Sequence, residues 1–147
     1  MSAAVGTVAE AGVQYDPAAE LDRMGIPVVR LWLRDTWGVW SPTRRAVVIA
    51  AGLSPVEEKC VLAHELEHIH AGDTGCGNRD GLRAERLADL RAARKLIALS
   101  DFCRVRQWAS SEAEMAEELG VTTWILRTRG ADLEGGARWL ATSRTAG

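Results

Sequence analysis

The chain has 147 residues, 18 Lys+Arg against 20 Asp+Glu, a hydrophobic share of 47% and a charged share of 26%. That is enough chain for one domain with its own core, and too apolar a chain for disorder. A net charge of −2 removes the simplest case for a general nucleic-acid binder, and no apolar run approaches the ~18–20 residues of a membrane span.

Residues 1–15 are small and weakly patterned, and read as a weakly ordered N-terminus without the basic region of a secretion signal. Asp16 as N-cap, Pro17 at the first position and Gly25 as stop define a short helix. Val28–Leu33 is β-branched and apolar and reads as a strand. Gly38–Trp40 and Ala46–Ala50 follow as two more, suggesting a small sheet with hairpin connections. Trp32 is expected in the core. Ser54, Pro55 and Glu57 then make a capping box that opens a helix running to Ala71 and stopping at Gly72. Leu62, Leu66 and Ile69 give it a buried stripe, with Glu67 facing solvent.

Residues 73–81 are glycine-rich and read as a loop. A long helix follows over about 82–99, then a helix over 111–119 with its own box of Ser111 and Glu114, then one over 122–129. Residues 131–147 read as a flexible tail, leaving 16–130 as a single domain. With no export signal, Cys60, Cys76 and Cys103 are expected as free thiols in a reducing cytoplasm.

All three histidines fall within seven residues of one helix, as His64, His68 and His70. His64-Glu65-Leu66-Glu67-His68 is an H-E-x-x-H, with about 0.005 matches expected by chance at this composition. Two imidazoles at i and i+4 stand one turn apart on one face and can reach a single ion. Zn²⁺ suits such nitrogen ligands. Glu65 is placed to take a proton from water activated by that ion. A hydrolytic zinc needs a third protein ligand, and the next helix offers Glu85-Arg86-Leu87-Ala88-Asp89. Glu85 can complete the set, while Asp89, on the same face, can accept the free ring N–H of His64. His70 points elsewhere on the helix and reads as a structural or rim residue. Cys76 lies in the loop beside this site.

These motifs, with Gly25-Ile26-Pro27-Val28-Val29 upstream and Glu117-Glu118-Leu119-Gly120-Val121 downstream, resemble the ImmA/IrrE family of zinc metallo-endopeptidases, in its short phage and mobile-element form. The resemblance implies an α+β fold: a minimal zincin-like domain, with a small antiparallel sheet on the H-E-x-x-H helix and further helices behind. It implies one Zn²⁺ held by His64, His68 and Glu85, with Glu65 as base, and a protein substrate that is a transcriptional repressor. A sheet-edge strand would carry the substrate backbone, within Trp37–Trp40 or Ala46–Ala50, with Trp37, Trp40, Val47 and Val48 as its residues. The chain has no His or Tyr beyond His70, so an oxyanion partner would be His70, Tyr15 or an arginine.

Two other readings stay open. Residues 109–129 have the spacing of a helix-turn-helix, with Arg127 and Arg129 on the second helix, which would suit DNA. Six tryptophans would suit a non-catalytic binder of a partner protein.

Overall fold

A computed structural model of the chain describes residues 14–72 and 79–145, with 79, 80 and 136–145 by backbone alone. The expected weak order of residues 1–13 and any role of Cys76 lie outside the described residues. The elements are α1 (Pro17–Arg23), β1 (Val28–Leu31), β2 (Gly38–Ser41), β3 (Ala46–Ala50), α2 (Pro55–Ala71), α3 (Arg79–Leu96), α4 (Leu99–Arg106), α5 (Glu112–Leu119) and α6 (Thr123–Thr145). Among the described residues, six helices and a three-stranded sheet make this an α+β fold.

The sheet order is β1-β3-β2. β2 and β3 form an antiparallel hairpin, but β1 runs parallel to β3. The sheet is therefore mixed, not wholly antiparallel as expected. The reason lies in β3, where Val47 and Ile49 are fully buried beneath α2. A strand apolar along its whole length gains most from two neighbours, so β3 takes the centre. The chain after β1 must then pass the end of β3 to reach the far edge, and no tight turn can do that. Val47 and Val48, proposed for a substrate edge, are paired on both sides and have no free backbone to offer. β2 is an edge strand. Trp32, expected in the core, is 87% exposed. It follows the last residue of β1, at the rim of the sheet.

α2 lies between two packed layers. Its capping box forms as the sequence predicts, with Glu57 N–H donating to Ser54 Oγ at 3.1 Å and Ser54 N–H to Glu57 Oε1 at 3.0 Å. Gly72 ends it in the left-handed region at φ 69°, a conformation that favours glycine. On one side Val61, Leu62 and Leu66 meet Leu21, Val47 and Ile49. On the other, Cys60 and Ala63 meet Ala92, Ala93, Ile97 and Ile125. Three alanines at that contact let α2 and α3 approach closely. Glu67, expected in solvent, is 3% exposed because α3 covers it; Lys95 of α3 supplies the opposite charge.

The predicted helix over 82–99 begins earlier and breaks at residues 97–98, and α4 follows it. α4 carries no side-chain cap at Ala98, so no local signal announces it. α6 continues to Thr145, through part of the segment read as a tail. Asp132, on that continuation, is held by Arg94 of α3 and Arg129 of α6 itself, and Leu133 packs on the core.

Candidate metal centre

Helix α2 presents His64 and His68 one turn apart, and α3 presents Glu85 and Asp89 one turn apart. The α2–α3 packing brings the two pairs together. His64 Nε2 lies 2.9 Å from Glu85 Oε2, His68 Nε2 lies 2.9 Å from Glu85 Oε1, and the two Nε2 atoms are 3.0 Å apart. The candidate ligand atoms of His64, His68 and Glu85 all fall within 4.8 Å of one another. Asp89 Oδ1 stands 2.7 Å from His64 Nδ1. A carboxylate there calls for Nδ1–H, so that the Nε2 lone pair faces the cluster once an ion displaces its proton. Two imidazole nitrogens and one carboxylate are a donor set that fits zinc.

The His64 side chain is 12% exposed and that of Glu85 58%, so the cluster opens to water on the α3 side. Burial works against a charged His64, but the Asp89 hydrogen bond and the charges of Glu65 and Glu85 outweigh it and push its pKa up to about 9. Glu65 is 6% exposed. Its pKa is raised by burial, against the opposing pull of His64 and His68 and of the Trp40 backbone N–H, which donates to it. A carboxyl raised in this way holds its proton more readily than one in water.

The glycine at 38 is what lets β2 reach that carboxylate. A β-carbon there would stand 2.5 Å from Val61 Cγ1 and 3.4 Å from Glu65 Cγ. Glycine in a strand signals such close approach; placing Gly38 at the head of a strand does not by itself reveal what it approaches. Trp124 was also missed. Its Nε1–H donates to Asp89 Oδ1 at 3.3 Å, and no local pattern links residue 124 to residue 89.

His70 and Tyr15 stand apart from the cluster. Two residues along a helix is about 200° of rotation, so His70 faces away from His68 and lies 3.2 Å from Glu20 Oε1 of α1. Tyr15 has Lys95 Nζ 5.8 Å from its ring centroid. Desolvation by burial, with Glu20 and Glu67 nearby, raises its hydroxyl far above the usual range. Trp40 is half-buried against the sheet core, and Trp37 is 46% exposed beside the β2 edge. Arg127 pairs with Glu112 at 2.9 Å. Arg129, 9% exposed, donates to the Ile97 carbonyl at 3.0 Å. The arginines expected on a recognition helix are thus engaged within the molecule.

A small sheet packed on an H-E-x-x-H helix, with a glutamate from the following helix closing the cluster, defines a zincin-like metallopeptidase. Residues 21–129 match the model of the IrrE N-terminal-like domain (Peptidase_M78), and the chain belongs to that family. A search of curated proteins finds no match. No helix of the described residues is long and apolar enough to cross a membrane.

Proposed function

We propose that the protein is a zinc-dependent endopeptidase that cleaves a regulatory protein, a transcriptional repressor of a phage, a mobile element or a stress response. The observation that carries this reading is the convergence of His64, His68 and Glu85 within 4.8 Å, with the buried carboxylate of Glu65 next to it in the same motif. His64, His68 and Glu85 would hold the ion, and Asp89 would orient His64. When bound there, zinc would supply Lewis acidity for a carbonyl and for water. Glu65 accepts the proton of the attacking water and passes it to the leaving amine. The Trp40 N–H bonded to its carboxylate fixes the side chain for both transfers. The β2 edge receives the substrate backbone as an added strand, flanked by Trp37 and Trp40. A repressor substrate places the reaction in the cytoplasm, where Cys60 and Cys103, both free, stay reduced.

Incubation of the zinc-loaded protein with a candidate repressor tests this. Cleavage is expected, and Glu65→Gln abolishes it while keeping a full complement of zinc. An intact repressor after incubation with wild type holding stoichiometric zinc sinks the assignment of that substrate.

One observation favours a second reading, in which the fold holds a partner without cutting it. Val29, Leu31, Val39 and Trp32 leave apolar surface exposed on and beside the sheet. A pull-down that survives Glu65→Gln, with no cleavage by wild type, would favour that reading.

A further inference from the structure

Asp89 carries two donors on one oxygen. His64 Nδ1 is 2.7 Å from Oδ1, and the Trp124 indole N–H reaches the same atom at 3.3 Å from the far side of the α3–α6 contact. Indole N–H is donor only, so it can hold Asp89 solely as an acceptor, which is the state His64 Nδ1–H requires. The Trp124 ring is itself held. Trp37 meets it edge-on at 5.5 Å between centroids and 70° between planes, a favoured aromatic geometry. Trp124 also packs against both halves of the core. The ring therefore has little freedom to turn its N–H away.

We propose that Trp124 is a positioning residue of the metal centre. From α6 it fixes the Asp89 carboxylate, through Asp89 the Nδ1–H form of His64, and thereby the Nε2 lone pair offered to the ion. This rests on reading His64, His68 and Glu85 as the zinc ligands. It makes α6 a working part of the site, although none of its residues is a ligand.

The test compares zinc affinity, by competition with a chromogenic chelator, with thermal unfolding of the metal-free protein. Trp124→Phe keeps a ring and removes the donor. Zinc binding about 10-fold weaker is expected, the low end of the range for partners behind a ligand. In an Asp89→Ala background the same change should alter affinity less than about twofold, because the indole then has no acceptor to act through. Should Trp124→Phe fold poorly, 3-benzothienylalanine at position 124 replaces N–H by sulfur at nearly constant shape and carries the same expectation. Affinity within about twofold of wild type in a folded variant overturns the proposal, as does a loss of about 10-fold that persists with Asp89→Ala. Wild type that binds no zinc overturns the metal-centre reading instead, which is a separate outcome.

Discussion

At Gly38 the backbone of β2 lies so close to α2 that a single methyl group has no place. Its β-carbon would sit 2.5 Å from Val61 Cγ1, and Val61 is itself only 4% exposed, so it has nowhere to retreat. Gly38→Ala must push β2 outward. Overpacking of this kind costs about 1–3 kcal/mol, read as a lower denaturant midpoint. The displacement also loosens the Trp40 N–H from Glu65, so activity should fall by more than the small unfolded fraction accounts for, while zinc content stays full. A Gly38→Ala protein with wild-type stability would show that the strand has slack.

Between elements, Asp132 joins α3 to α6. Arg94 Nη2 lies 2.7 Å from its Oδ1 and Arg129 Nη1 2.9 Å from its Oδ2. The Arg94 guanidinium, joined by that of Arg129, holds the Asp132 carboxyl below its ordinary 3.8. A carboxyl group with a depressed native pKa stabilises the fold above its unfolded pKa, and that contribution is lost as pH falls through the native value. Asp132→Asn should therefore cost about 1–2 kcal/mol at neutral pH, because the buried Arg129 loses its charged acceptor. The gap to wild type should close in acid, below about pH 3.8. Urea unfolding of both proteins at neutral and acid pH measures this, and a constant gap at every pH would remove the carboxylate from the account. None of this was legible in the chain, because Gly130 and Gly135 made residues past 129 look like a tail. Contacts across 38 residues carry the helix onward, and no local pattern encodes them.

At the scale of the whole molecule, what was legible divides by range. His64, Glu65 and His68 could be placed because one helix and its capping box fix them locally. Glu85 and Asp89 could be paired with them because a second helix repeats the one-turn spacing. The parallel β1–β3 pairing, the burial of Glu67 and the Trp124–Asp89 bond depend on how separate elements pack, and propensity and periodicity do not report that. The candidate metal centre is itself such a junction, since α2 offers two of the proposed ligands and α3 the third. Anything bound only by the folded state stabilises it by RT ln(1 + [L]/Kd), which is about 2.7 kcal/mol at a hundredfold excess over Kd. For a chain of this length that corresponds to a Tm higher by roughly 10 °C. Saturating zinc should produce that rise in a thermal melt, and a chelator should reverse it. Glu65→Gln should keep the full shift, because Glu65 is the proposed base and not one of the proposed ligands. Glu85→Ala should lose most of it, because α3 would no longer be tied to the ion. A Glu85→Ala protein that keeps the wild-type shift would place the third ligand elsewhere, and the joining of α2 to α3 through the metal would fall with it.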